Sequence, residues 1–188
     1  MTSMIDEAAE AVRRGELIVF PTDTVYGIGC DPFDEESIKA LFDAKKRAPE
    51  KDIPVLVDSI ETAEALAEIP TYCIDLLEKH WPGALTVIVK KRAPFPKNLA
   101  AGDTIALRQP DHEDLLELLT SVGGALAATS ANISGKTPLL TYDDAYATFS
   151  EKATVILPGK VVTEKPSTII DCTGEEPVVV REGPVSIT

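Results

Sequence analysis

The residue types best suited to chemistry fall in four short parts of the sequence. In the first, Phe20-Pro21-Thr22-Asp23-Thr24-Val25-Tyr26-Gly27, an apolar strand ends in Pro21 and three small polar residues, with Gly29, Cys30 and Asp31 just beyond. Backbone and hydroxyl groups exposed together in this way let Thr24 help hold a small polar ligand. The same pattern also reads as a strand end and a glycine turn with Tyr26 in the core. The second is Lys45-Lys46-Arg47, with Lys51 following. Lys45 continues the apolar stripe of Ile38, Leu41 and Phe42, so its ammonium extends past the core into a cavity, which Arg47 reaches if the helix ends there. A compact charge beside a planar fork suits a polyphosphate. A solvated helix end whose cations complement the dipole is the plainer alternative.

The third part, Thr129-Ser130-Ala131-Asn132-Ile133-Ser134-Gly135, is a dense group of hydroxyls and one amide directly after an apolar strand. Ser130 and Asn132 would serve as neutral hydrogen-bond groups beside phosphates, or the run is a turn held by its own side-chain bonds. The fourth is scattered: Arg108 at a strand end, Ser167 and Thr168 after Pro166, and Arg181 before Gly183. Alone, each reads as a surface ion pair or plain strand propensity. Together they put an anion binder or a small hydroxyl at several strand ends, as one pocket at a sheet edge requires.

Those strand ends imply an α/β chain. Ser3 caps a helix whose Met4, Ala8, Ala11 and Val12 share a face, and Gly15 stops it before the strand 17–20. Asp34 caps a second helix over about 35–46, leading to a strand at 53–57. One or two helices follow within 61–79, then strands 85–89 and 104–108, a helix over 111–122, and a strand at 125–129. Strands at 155–157, 167–171 and 178–181 complete the chain. The link between residues 93 and 103 is too short for a crossover helix, so some neighbours run antiparallel. The expectation is a single domain, residues 1–188, with an open, twisted, mixed parallel and antiparallel sheet flanked by helices.

Composition narrows the function. Apolar residues make up 44% and charged residues 26% of 188, enough apolar material to build one core. Eighteen Lys and Arg against 31 Asp and Glu leave a net charge of −13, so a bound anion must be met locally rather than by the overall field. Cys30, Cys73 and Cys172 form no CxxC pair, and His80 and His112 supply no zinc framework. The acidic start lacks a basic region and an apolar signal core, and the longest apolar runs are too short to span a bilayer, which points to the cytoplasm and no membrane. Neither GxGxxG nor GxxxxGK[ST] is present, so a nucleotide site needs another design.

With these segments in order, the chain resembles the YrdC-like threonylcarbamoyl-AMP synthase family. The resemblance is carried by Pro21-Thr-Asp-Thr-Val-Tyr-Gly27, Lys45-Lys-Arg47, Trp81-Pro-Gly-Ala-Leu-Thr86, Ile105-Ala-Leu-Arg108, Thr129-Ser-Ala-Asn-Ile-Ser-Gly135, Pro166-Ser-Thr168 and Arg181-Glu-Gly183. It implies a twisted mixed sheet around a concave, locally positive cavity. It also implies that L-threonine, bicarbonate and ATP with Mg²⁺ give threonylcarbamoyl-AMP and pyrophosphate, for transfer by a downstream tRNA threonylcarbamoyl transferase complex. By matching positions, Thr24, Arg108, Ser130 and Ser167 fall on the threonine side, and Lys45, Arg47, Lys51, Thr104, Asn132 and Arg181 on the ATP side. Lys45, Arg47, Ser130 and Asn132 are the expected catalytic set, with Asp23 a candidate for the metal's water shell.

Two departures stand out. Relatives often carry a Pro-Leu run ending in histidine after Lys-x-Arg, where this chain has Ala48-Pro49-Glu50-Lys51-Asp52-Ile53 and Leu56. The sequence also stops at Thr188, where longer relatives continue into a linker and further domain, so cavity closure is expected to come from elsewhere. Competing readings are an RNA-binding YrdC-like module using Lys90, Lys91, Arg92 and Lys97 in direct RNA contact, or a carbamoyl-transfer paralogue with another substrate.

Overall fold

The computed structural model describes residues 3–46 and 52–187. Local signals start and stop its helices. α1 (Met4–Arg13) opens with a reciprocal cap, in which the Asp6 N–H donates to Ser3 Oγ and the Ser3 N–H to Asp6 Oδ2, both at 3.0 Å. Gly15, at φ +78°, turns the chain into β1 (Ile18–Phe20). After β2 (Gly27–Cys30), the Asp34 side chain caps α2 (Glu35–Lys45), and Lys46 at φ 51° ends it.

Next come β3 (Val55–Val57), α3 (Ile60–Leu66), β4 (Ala67–Glu68), α4 (Thr71–His80), β5 (Leu85–Lys91) and β6 (Thr104–Arg108). α5 (Glu113–Ser121), β7 (Ala125–Ser130), α6 (Tyr142–Phe149), β8 (Val155–Ile156), β9 (Thr168–Asp171) and β10 (Val178–Arg181) complete the order.

One sheet runs β10-β9-β5-β6-β3-β7-β2-β1-β8, with β4 added beside β5. β1/β8, β3/β6 and β5/β9 are parallel and the other pairs antiparallel. The short 93–103 connection does join antiparallel neighbours, with Val87 opposite Leu107.

Period-two alternation sorts the side chains onto two faces. Val19, Ile28, Val55, Val57 and Ala127 meet α2, α3, α4 and α6 through Leu41, Ala63, Leu77 and Phe149 in the larger core. Ile18, Phe20, Leu56, Leu126 and Ala128 meet α1 and α5 through Ala8, Val12, Leu115 and Leu118. This second core draws on β1, β3, β7 and β8 and on nothing from β5, β6 or β9. Two helices therefore cover only part of their face. The uncovered part is where a ligand can reach the sheet.

Three elements differ from the sequence expectation. The short β4, which pairs with β5, lies inside the stretch 61–79 expected to be helical. Gly27 and Gly29, readable as a turn, lie in β2 between β1 and β7. A Cβ on Gly27 would meet the Phe20 ring at 2.7 Å, and one on Gly29 would meet the Ala127 carbonyl oxygen at 2.5 Å, so these glycines let strand and ring approach. Helix α6 was not expected, because Tyr142-Asp-Asp-Ala-Tyr-Ala-Thr-Phe is poor in strong helix formers. The Thr141 cap and burial of Ala145 and Phe149 against the larger core make it.

Candidate active site

The uncovered sheet face forms the floor of an open cavity of about 550 Å³. Thr86 and Ile88 of β5, Thr104, Ala106 and Arg108 of β6, and Ile169 of β9 lie along it, with Leu56, Ala128 and Ser130 continuing the same face. Thr24, Ser167, Arg181 and Asp52 line it as well. Thr24, Thr104, Arg108, Ser130, Ser167 and Arg181, expected from distant parts of the sequence, thus meet at one hollow.

Arg108 is held from three sides. Its Nε donates to the Gly83 carbonyl at 2.9 Å, Nη1 to Thr24 Oγ1 at 2.9 Å, and Nη2 to Asp23 Oδ1 at 2.5 Å. The Arg108 and Asp23 side chains are each 8% exposed, whereas the Arg13–Glu10 and Arg14–Glu16 pairs sit in solvent. Only the buried pair carries weight, since exposed pairs are worth about 0–1 kcal/mol. Burial pulls the guanidinium below the ordinary arginine value and nearby Arg181 adds to this, while Asp23 opposes it. Asp23 Oδ1 also accepts the Asp111 N–H at 3.2 Å. This carboxylate, expected near a metal's water shell, is the counter-charge and brace of Arg108.

The neighbouring hydroxyls form a tight knot. Thr22 Oγ1 accepts the N–H groups of Thr24 at 3.0 Å and Val25 at 3.2 Å and lies 2.7 Å from the Val25 carbonyl and 2.9 Å from Thr24 Oγ1. Thr24 Oγ1 accepts from Arg108 and is thereby held at the cavity wall.

Lys45, at the end of α2, is 1% exposed. Its ammonium donates to the Ser130 carbonyl, to the Asn132 carbonyl at 2.9 Å and to Asn132 Oδ1 at 3.1 Å. Ser130 Oγ donates to that same Oδ1 at 2.6 Å. The Asn132 amide donates to the carbonyls of Ile133 at 3.1 Å and Lys136 at 2.7 Å. Lys45, Ser130 and Asn132 lie together, but of the three only Ser130 is among the residues lining the cavity: the Lys45 ammonium, expected to extend into it, bonds to the loop after β7 instead. The ammonium organises the loop after β7, while the Asn132 amide stabilises that loop from within. Arg47 and Lys51 lie outside the described residues.

On the opposite rim, Ser167 Oγ is 2.7 Å from Thr86 Oγ1, and Arg181 donates through Nε at 3.0 Å and Nη2 at 2.7 Å to the Ser167 carbonyl. A Cβ on Gly183 would come within 2.4 Å of the Thr168 nitrogen and 2.7 Å of the Pro166 oxygen, so glycine lets the chain after β10 pass against this segment. Burial draws the Arg181 guanidinium below the ordinary arginine value.

Thr22, Thr86 and the bracing role of Asp23 escaped sequence reasoning. Thr22 and Asp23 sit inside the singled-out segment, but their partners are set by folding. Thr86 alternates with Ile88 on the floor side of β5, a period-two signal that only strand placement makes readable. Of the basic run considered for RNA, Lys91 donates to the Ala100 carbonyl at 2.8 Å and Arg92 to the Glu64 carbonyl at 2.8 Å. Among the described residues no group of three or more His, Cys, Asp or Glu is placed to hold a metal ion, and no helix is long and apolar enough to cross a membrane.

Comparison with known proteins gives consistent matches. The Sua5_yciO_yrdC family model, described as "Telomere recombination", matches residues 10–183. A putative threonylcarbamoyl-AMP synthase of Mycobacterium tuberculosis is 40% identical over 185 residues, covering 97% of this chain and 85% of that protein. The solved structure of Pyrococcus abyssi Sua5 complexed with L-threonine superposes with a TM-score of 0.91 at 38% identity, covering 95% of this chain and 54% of that one. Escherichia coli YciO superposes with a TM-score of 0.90 at 25% identity, covering 100% of this chain and 92% of that one. The chain thus spans about half the length of the P. abyssi structure and most of the mycobacterial and E. coli proteins.

Proposed function

The chain belongs to the Sua5/YciO/YrdC family, and from that premise we propose that it is a threonylcarbamoyl-AMP synthase using L-threonine, bicarbonate and MgATP. The observation that carries the reading is the convergence of Arg108, Thr24, Ser130, Ser167 and Arg181 on one open cavity.

The threonine amine adds to the carbon of bicarbonate and water leaves, giving a carbamate. A carbamate oxygen then attacks the α-phosphorus of ATP, the bond to the β-phosphate oxygen breaks, and threonylcarbamoyl-AMP and pyrophosphate result. No protein nucleophile is required. The task for the protein is to hold two anions in contact and in line.

Arg108, braced by Asp23, pairs with the threonine carboxylate, for which two fixed N–H directions are better suited than a lone ammonium. Thr24 Oγ1, held beside Arg108, offers the threonine amine or hydroxyl a hydrogen-bond partner next to the carboxylate clamp. Ser130 and Ser167 mark the two sides of the threonine pocket.

Arg181, Arg47 and Lys51 provide positive charge for the triphosphate, with Thr104 beside it, and Lys45 adds its buried charge from behind the loop that it holds. Asn132 acts by shaping the loop after β7. Mg²⁺ enters with ATP as part of the substrate, its charge shared by the phosphates. The carbamoyl-adenylate is a reactive mixed anhydride, so a group-transfer step onto tRNA adenosine by a downstream complex must consume it.

Pyrophosphate release from MgATP tests the reading. Release should require both L-threonine and bicarbonate and should fall at least 100-fold in Lys45→Ala or Arg108→Ala. Equal release without threonine would overturn it.

A further inference from the structure

Outside the cavity, two cysteines that play no part in this chemistry face each other. Cys73, in the first turn of α4, points its thiol at the sulfur of Cys172, just after β9, with 3.3 Å between them. Both are free thiols, at 0% and 1% exposure. The segment carrying Cys172 is tied to the residue before Cys73 and to β5. The Tyr72 hydroxyl donates to the carbonyls of Cys172 at 3.0 Å and Gly174 at 2.9 Å, and the Cys172 N–H donates to the Ile88 carbonyl at 2.8 Å.

A separate cavity of about 290 Å³ opens onto Cys172, lined by Glu68, Ile69, Pro70, Lys90 and Thr173. It is large enough for a small oxidant, and its wall carries the opposite charges of Glu68 and Lys90.

We propose that Cys73 and Cys172 form a redox modification site that takes a small hydroperoxide and closes reversibly to a disulfide linking α4 to the end of β9. Cys172 attacks first. Its thiolate sulfur bonds to one peroxide oxygen, the O–O bond breaks, and the other oxygen leaves with a proton as water or an alcohol, giving a sulfenic acid. The Cys73 sulfur then attacks Cys172, the S–S bond forms, and the S–O bond breaks. The departing hydroxide takes the Cys73 proton as water. Two thiols and one hydroperoxide thus give one disulfide, one water and one water or alcohol, with two electrons passing from sulfur to oxygen.

The order of attack follows from access: the cavity is lined by Cys172 and not by Cys73, so a peroxide meets Cys172 first. The contact with Cys73 draws the Cys172 thiol down, against burial and Asp171, which raise it, and the same contact and burial push Cys73 up. Among the described residues Cys30 has no such thiol partner. Burial, with Asp31 and Asp34 adding, pushes its thiol up to about 12, making it an internal control.

The test treats the folded chain with hydrogen peroxide, alkylates the remaining thiols in denaturant and measures intact mass and tryptic peptides. One alkylated cysteine, Cys30, is expected, with a Cys73–Cys172 cross-linked peptide. The melting midpoint should rise by about 10 °C and return with dithiothreitol. Cys73→Ser should instead leave a dimedone-reactive sulfenic acid on Cys172, and Cys30→Ser should behave as the parent. Three alkylated cysteines after a dose that oxidises free glutathione, a cross-link to Cys30, or a dimedone label on Cys73 in Cys172→Ser would each overturn the proposal.

Discussion

Replacing Asp23 with Asn removes the counter-charge of Arg108 while leaving an oxygen to accept its hydrogen bond. Both side chains are 8% exposed, so solvent cannot take over as it would at the surface. Deleting one partner of such a pair costs about 3–5 kcal/mol, because the surviving charge stays buried. The retained oxygen places Asp23→Asn at the low end, about 3 kcal/mol. For 188 residues this is a fall of about 6–12 °C in melting midpoint. Urea denaturation followed by circular dichroism at fixed neutral pH measures it. Asp23→Asn with Arg108→Met should recover most of the loss, since the double variant no longer buries a lone guanidinium. A loss under about 1 kcal/mol, the range of exposed pairs, or a double variant less stable than the sum of the singles, would refute the bracing role.

Gly183→Ala would bring a methyl to 2.4 Å from the Thr168 nitrogen, where backbone must move. It should raise the threonine KM at least tenfold in the pyrophosphate assay, and an unchanged KM would show that the 166–168 segment tolerates displacement. Gly27→Ala presses on the Phe20 ring at 2.7 Å. Overpacking of this kind should cost about 1–3 kcal/mol in denaturation, and no loss would mean that the ring has room to turn. Burial, with Lys79 adding, holds the His80 imidazole below its ordinary value. The folded state therefore binds that proton less readily than the unfolded chain. Its stabilising contribution is present above the usual histidine range and lost as pH falls through it. His80→Gln should flatten the melting midpoint between about pH 7 and about pH 5, and an unaltered slope would exclude His80 as the cause.

Much of the architecture was legible because its signals are local. Ser3 and Asp34 announce helix starts, Gly15 a stop, and β6 and β10 coincide with the expected 104–108 and 178–181. β2 was not legible because Gly27 and Gly29 serve a strand only in the company of Phe20 and Ala127, residues that folding brings over them. α6 was hidden for the same kind of reason, since burial of Phe149 outweighs weak propensity. At the site, residue types singled out Arg108 and Arg181, which line the cavity, and spacing placed Lys45 in register with the core. What each group touches was not readable. That Asp23 braces Arg108 across 85 positions, and that the Lys45 ammonium turns onto the loop carrying Asn132, are consequences of topology.

Whether Arg108 fixes the amino-acid end of the hollow is decided by calorimetric titration of L-threonine into the parent chain and into Arg108→Ala, each repeated with MgATP. Saturable threonine binding that is lost in the variant, with MgATP binding retained, is the expected result; equal threonine affinity in both chains would take the threonine carboxylate away from Arg108.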